Sequence, residues 1–367
     1  MNDTFSQFVS FLRENAETIR SDLLMPADSW RRSLYSDVFR ENYVTFRDAS
    51  SVSKVISATD STEFVRELYN GKKIILIRSY TTVGKRVYMS FISKVMSVAR
   101  DDLQRFLTML MEHSEHLSIL EMLRHERPDF ILVDGSLSGR LFKNLNPVDA
   151  EGYDNFHEEY VQTLGKLVET VSGLNIPLIF MAKSSETSAF RKFLLNTLKN
   201  HRPKDEAVNA ESRLKASDHY LVRSLARVPG YTKPIVQPVR KIWKEGDEKF
   251  PIVLTHILPR ETDLPIKVDI VMSPDGYVPD TVEPTVIPQE IIDLMFWGYG
   301  DLKTYNIWLA DVDRLVKFRS SEVENIYMKA FEKEIGISFY ETRGERRARI
   351  IPACAERCSE NPDGTIV

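Results

Sequence analysis

Residues 130–141, Phe-Ile-Leu-Val-Asp-Gly-Ser-Leu-Ser-Gly-Arg-Leu, constrain this chain more than any other stretch. Four apolar residues suited to a short buried strand close on Asp134, a glycine and a serine, and charge returns only at Arg140. An acid at the end of a buried strand, followed by a glycine that lets the chain turn and approach a ligand closely, is a common way to hold a carboxylate at a sheet edge. Asp134 reads either as a metal-binding or catalytic carboxylate or as the capping Asp of the turn after the strand, and the stretch alone fits both.

The neighbouring periodicities place that strand in a fold. Residues 53–60 read as a short strand ending on Asp60; residues 73–80 and 86–92 read as two more, joined by a turn at 82–85. The apolar face Leu103, Phe106, Leu107, Leu110, Leu117, Leu120 and Leu123 then predicts one long helix over about 96–125, stopped before Pro128. Three strands, a long helix and a fourth strand is the order of a ribonuclease-H-like sheet, so the expected class is α/β, a mixed sheet flanked by helices. If the first and fourth strands are neighbours, Asp60 and Asp134 share one edge and can share a divalent ion.

The flanks read less sharply. Residues 4–24 and 29–40 carry amphipathic helical patterns, giving an N-terminal helical arm over 1–50. Residues 156–174 predict a helix, and 177–183 a buried strand that delivers Lys183 to the same edge as Asp134. Residues 200–217 are polar without a clear period and read as a loop; 228–251 read as loop-rich; 251–259 and 266–272 alternate as a hairpin. Helices are expected over 288–297 and 321–335. The chain thus divides into the arm, a catalytic domain over 51–340 and a basic C-terminal tail over 341–367, whose densest charge is Arg343–Arg349.

Composition sets limits. With a net charge of −4 there is no global basic field, so any contact with nucleic acid must come from a local basic surface. The two cysteines, Cys354 and Cys358, cannot build a disulfide framework, which suits a reducing cytoplasm. The first residues lack a basic start followed by an apolar core, so no secretory signal is expected, and no run reaches the length of a membrane span. His113 with His116, and Cys354 with Cys358, have spacings from which a zinc site can be drawn, although such pairs arise by accident in long chains. No G-x-x-x-x-G-K-[ST] sequence occurs, so the chain is not itself a P-loop motor.

The block Phe-Ile-Leu-Val-Asp-Gly-Ser-Leu-Ser-Gly, preceded by Met-Leu-Met-Glu-His-Ser-Glu-His-Leu-Ser-Ile-Leu and by the strand carrying Asp60, resembles the NurA nucleases, partners of the hexameric HerA translocase in DNA-end processing. The likeness continues through Ile-Phe-Met-Ala-Lys-Ser-Ser, Ile-Lys-Val-Asp-Ile-Val and the segment from Leu309 to Glu322. It implies a ribonuclease-H-like core that hydrolyses DNA with Mn²⁺ or Mg²⁺, a homodimer, and a HerA-type ATPase partner. It maps the metal carboxylates onto Asp60, Glu115 and Asp134; Glu112, Glu121 and Glu126 are read as a solvated face. Where the family has a histidine in an Ala-His pattern before its final helix, this chain has Ala310-Asp311, making Asp311 the fourth ligand. Asp60 is followed by Ser61-Thr62 where the family often has glycines.

In this reading Lys183 meets the scissile phosphate or orients water. Arg140, Arg260 and the cluster containing Arg343, Arg346 and Arg347 contact the DNA backbone. The rival reading is an inactive NurA-like adaptor that keeps the fold to dock on the ATPase or on DNA, favoured by loss of the histidine. Three carboxylates crowded at one edge favour the enzyme, because they repel unless a cation is present.

Overall fold

The computed structural model describes residues 3–336 apart from 24, 47, 69, 143–146 and 273–276. The helices α1 (Asp3–Glu14), α2 (Ala16–Leu23) and α3 (Trp30–Glu41) precede the strands β1 (Tyr43–Thr45), β2 (Ile56–Glu67), β3 (Lys73–Val83) and β4 (Arg86–Met96). Then come α4 (Leu103–His125), β5 (Phe130–Asp134), α5 (Leu137–Phe142), α6 (Phe156–Gly173), β6 (Leu178–Ala182), α7 (Ala189–His201), α8 (Glu206–Arg213) and α9 (Asp218–Leu225). The strands β7 (Gly230–Thr232), β8 (Ile235–Arg240), β9 (Lys249–Leu258), β10 (Ile266–Val271) and β11 (Glu283–Pro284) lead to α10 (Gln289–Trp297) and α11 (Ile307–Val316). A turn α12 (Ser320–Glu322), a π-helical segment (Val323–Met328) and α13 (Lys329–Ile335) close the described chain.

All the strands join one sheet in the order β1-β7-β9-β10-β6-β5-β2-β3-β4, with β8 on β9 and β11 on β8. Within it, β2, β3 and β4 form an antiparallel meander, β5 lies parallel to β2, and β6 parallel to β5. The central order β4-β3-β2-β5-β6 is the predicted ribonuclease-H-like arrangement. Helices cover both faces of the sheet, so β5 and β6 are apolar throughout their lengths up to Asp134, as strands buried on two sides must be.

One face carries α4, α5 and α6 over a core of Ile131, Val133, Phe180, Phe106 and Phe156, among others. The other carries α10 and α11 over Ala58, Leu132, Met181 and Val268. The α4 contact differs from its sequence reading. Its second half turns Ser114 and Ser118 to the sheet and leaves Leu117 exposed. Small hydroxyls allow close approach, and they are satisfied by a chain of bonds: Thr59 to Thr81 and Thr81 to Ser118, each 2.8 Å, and Ser79 Oγ donating to the Ser114 carbonyl at 2.6 Å.

Two expected loops are structured. Within 200–217 lies α8, which buries Val208 and Glu211; Glu211 accepts from Arg31 Nε at 2.7 Å and Arg191 Nη2 at 2.9 Å. Residues 228–251 hold β7 and β8, in which Pro238 pairs with Pro251 near a sheet margin where missing donors are tolerated. In the N-terminal segment, α3 is part of the core, burying Leu34, Tyr35, Val38 and Phe39 against α7 and α9, whereas α1 buries nothing and exposes Phe5, Phe8 and Phe11.

Candidate active site

The parallel ladder between β2 and β5 pairs Ile56–Thr59 with Phe130–Val133 and stops there. Asp60 and Asp134 are the next residue on each strand. The predicted end of β2 at Asp60 is corrected by the structure, since the strand continues to Glu67, held by β3 alone. Asp60 therefore sits where one neighbour departs, not at a strand end. Asp134 is a true terminus: Gly135 takes φ +98°, a left-handed value that favours glycine, and its N–H donates to the Met181 carbonyl at 2.9 Å.

Glu115, from α4, completes the acidic group. Of the four glutamates on or after this helix it is the one turned inward: Glu121 pairs with Arg124 at the surface, Glu126 with Arg86, and Glu112 accepts from the Tyr160 hydroxyl at 2.6 Å. Glu115 Oε1 accepts from Ser61 Oγ at 2.5 Å and Oε2 from Arg140 Nη2 at 2.5 Å. Arg140 also donates to the Asp134 carbonyl at 3.0 Å and to His116 Nε2 at 2.9 Å. Burial, reinforced by Arg140, holds His116 well below the ordinary histidine range, so it accepts as the neutral ring. Arg140 is thus a buried strut between α4 and the Asp134 turn and not the surface DNA contact expected from sequence. His113 is likewise buried, edge-on to Phe156.

The Asp60 carboxyl is pushed up to about 8, first by burial and then by the charges of Glu115 and Asp134, against the opposing N–H of Ser61; Asp313 adds a smaller push. On α11 the structure separates Asp311 from its neighbour Asp313. Two residues along a helix are about 200° apart, so Asp311 and Asp313 face different ways on α11. Asp311 is exposed and paired with Arg314, while Asp313 is paired with Lys317 at 2.6 Å and adds its small push on Asp60 from the other side of the helix.

Two groups absent from the sequence reading, Tyr305 and the pair Lys267–Asp269, adjoin the acids. Tyr305, 4% exposed, has its phenol proton held far above the usual range by burial and then by Asp134; its hydroxyl lies beside that carboxylate without a well-formed hydrogen bond. Lys183 is exposed, with its ammonium 4.2 Å above the Tyr305 ring. Beneath the Asp134 turn, the fully buried Lys267 donates to Asp269 at 2.7 Å, to Ser136 Oγ at 2.9 Å and to Ser138, and Ser136 donates to Asp269 at 3.1 Å. The signal for this pair was present: a Lys and an Asp two apart in an otherwise apolar strand must share one buried face and pair there. Arg260 stands in the β9–β10 turn, donating to the Gly300 carbonyl at 2.6 Å. Since Lys267 at the start of β10 pairs with Ala182 at the end of β6, that turn lies on the same sheet edge as Lys183. The cluster Arg343, Arg346 and Arg347, and both cysteines, lie outside the described residues.

The donor set suits a hard divalent cation. Among the described residues Asp60 and Asp134 have no ion-pair partner, and the negative charge exceeds what Arg140 neutralises. It is not a ready-made cage: among the described residues no three His, Cys, Asp or Glu groups are set for coordination, and both Glu115 oxygens are already engaged.

Fold and site together define a ribonuclease-H-like α/β protein with an acidic centre at the β2–β5 junction. The chain belongs to the NurA domain family, whose pattern matches residues 54–274. Its fold is similar to that of the NurA nuclease from Sulfolobus solfataricus, with a TM-score of 0.60 and 17% identity over 93% of this chain and 100% of that one. It also matches NurA solved with manganese (TM-score 0.52, 14% identity, 90% of this chain and 98% of that one). A third match is NurA bound to dAMP and manganese (TM-score 0.50, 12% identity, 87% and 95%). Curated protein sequences yield no match. No described helix is long and apolar enough to cross a membrane.

Proposed function

We propose that this protein is a metal-dependent DNA nuclease that hydrolyses phosphodiester bonds in DNA-end processing, as a homodimer beside a HerA-type ATPase. The observation that carries the reading is that Asp60, Glu115 and Asp134 come from β2, α4 and β5 to one junction of the sheet, where Ser61 and Arg140 tie Glu115 to both strands and Asp60 and Asp134 are left without a cation among the described residues. The manganese and dAMP in the NurA structures, and the family membership, support the metal and substrate class; the ATPase and the dimer come from the family resemblance.

Asp60, Asp134 and Glu115 would hold Mn²⁺ or Mg²⁺. When bound, such an ion neutralises phosphate charge and makes a water more acidic. The chain's own groups do the rest. Arg140 and Ser61 fix the Glu115 carboxylate, and the Lys267–Asp269 pair fixes the turn bearing Asp134. Lys183, exposed above Tyr305, would meet a phosphate, and Tyr305 keeps its proton beside Asp134. Arg260 offers a backbone contact on the same edge.

The test is DNA degradation in Mn²⁺ by the wild-type chain and by Asp134→Asn, each with and without the ATPase. Cleavage that is lost in the variant supports the enzyme. If neither protein cuts while both still bind the ATPase, the reading fails and an inactive adaptor replaces it.

A further inference from the structure

Outside the acidic centre, a group of cations without ion-pair partners among the described residues lies along α7. A groove of about 740 Å³ separates this helix from the segment joining α8 to α9. It is lined by Lys192 and Lys199 from α7, by Arg213 at the end of α8 and by Lys215 from the segment that follows. None of these four has an ion-pair partner among the described residues, whereas the buried Arg191 in its floor is already satisfied by Glu211. Glu186 at the rim leaves a clear positive excess, in a chain whose net charge is −4.

The arrangement is directional. Lys192 and Lys199 are seven residues apart on one face of α7, about 10 Å along its axis. The groove's near end follows directly from the active-site edge: Lys183 leaves β6 beside Tyr305, and Glu186, three residues later, lies within about 11 Å of it. Ser188 and Asn196 add neutral donors between the cations. Ammonium and guanidinium groups with interspersed small polar side chains, and no aromatic residue in the lining, suit a phosphate backbone better than bases.

We propose that this groove binds the phosphodiester backbone of a single DNA strand that runs from the acidic centre along α7. The inference rests on the nuclease reading of that centre, and it supplies the local basic surface that an acidic protein needs to hold DNA.

The test uses the full chain without divalent metal. Fluorescence anisotropy measures binding of a labelled single strand of about 20 nucleotides, longer than common single-strand sites of ~4–16. The variant K192A/K199A/R213A/K215A is expected to bind at least about tenfold more weakly near 0.1 M salt, with a log–log salt slope shallower by about 3. The charge-conserving K192R/K199R/R213K/K215R is expected to bind as wild type. Removing as many exposed lysines elsewhere, K166A/K233A/K249A/K329A, is expected to leave the slope unchanged. If the groove variant matches this last control, or if the charge-conserving variant also loses binding, the proposal is overturned. Cleavage is read separately with Mn²⁺: a wild type that binds through the groove yet never cuts overturns the nuclease reading alone.

Discussion

Arg140 and Glu115 form a buried ion pair, Nη2 to Oε2 at 2.5 Å, within the acidic centre itself. Both side chains are almost wholly buried. Removing one partner leaves a charge without compensation, so Arg140→Met is expected to cost on the order of 3–5 kcal/mol. Urea unfolding in EDTA measures this. Mn²⁺ should restore part of the loss if Glu115 turns to the metal once Arg140 is gone; a variant as stable as wild type in EDTA would show that the pair contributes nothing.

Asp311 and Asp313 separate by their faces of α11. Asp311→Ala removes an exposed ion pair and should alter stability by less than about 0.5 kcal/mol and cleavage by less than twofold. Asp313→Ala removes a charge that reaches Asp60 and should slow Mn²⁺-dependent cleavage at least about tenfold, or 1.4 kcal/mol of barrier. Equal effects of the two substitutions on cleavage would remove Asp313 from the site.

Tyr305→Phe deletes a buried hydroxyl that has no well-formed hydrogen bond, so the fold should lose less than about 1 kcal/mol, which thermal melting measures. The expected effect lies in catalysis. Loss of the phenol proton beside Asp134 should lower kcat about tenfold or more, with KM for DNA nearly constant. Unaltered kcat would reduce Tyr305 to a packing residue under Lys183.

How much of this was legible depended on whether burial was signalled by apolar residues. Asp134 stood out because four apolar residues precede it and Gly135 follows. Asp60 was found, but the continuation of β2 was hidden by Ser61, Thr62 and Glu63, polar residues that β3 pairs where β5 has already left. Buried charge misled the reading elsewhere. Glu211 and Arg191 look like surface residues in sequence, and their mutual pairing is what gives α8 a buried side. The same holds for Arg140, which looks like a free cation until Glu115 and His116 are brought against it. Asp311 was taken from the register of the family's Ala-His pattern, which says nothing of facing; facing depends on where the helix begins, and Asn306, whose side chain accepts from the Trp308 and Leu309 N–H groups, sets that start.

Asp218 offers a pH test remote from the acids. Its carboxyl is fully buried and pushed up to about 6 by that burial, against the N–H groups of Arg191 and Phe190 and the charge of Lys267. His256 Nε2 lies 3.8 Å away, but burial keeps this histidine well below its ordinary range and neutral. The native state therefore binds a proton at Asp218 that the unfolded chain has released above its ordinary value of 3.8. This group's contribution to stability is full below about 4 and is lost as pH rises to about 6, by up to roughly 3 kcal/mol. Asp218→Asn cannot titrate. It should be less stable at every pH, because an amide cannot accept both backbone donors as the carboxylate does, yet the gap to wild type should narrow between pH 4 and 6. Urea unfolding across that interval measures the gap, and a constant or widening difference would show that Asp218 is ionised in the native protein throughout.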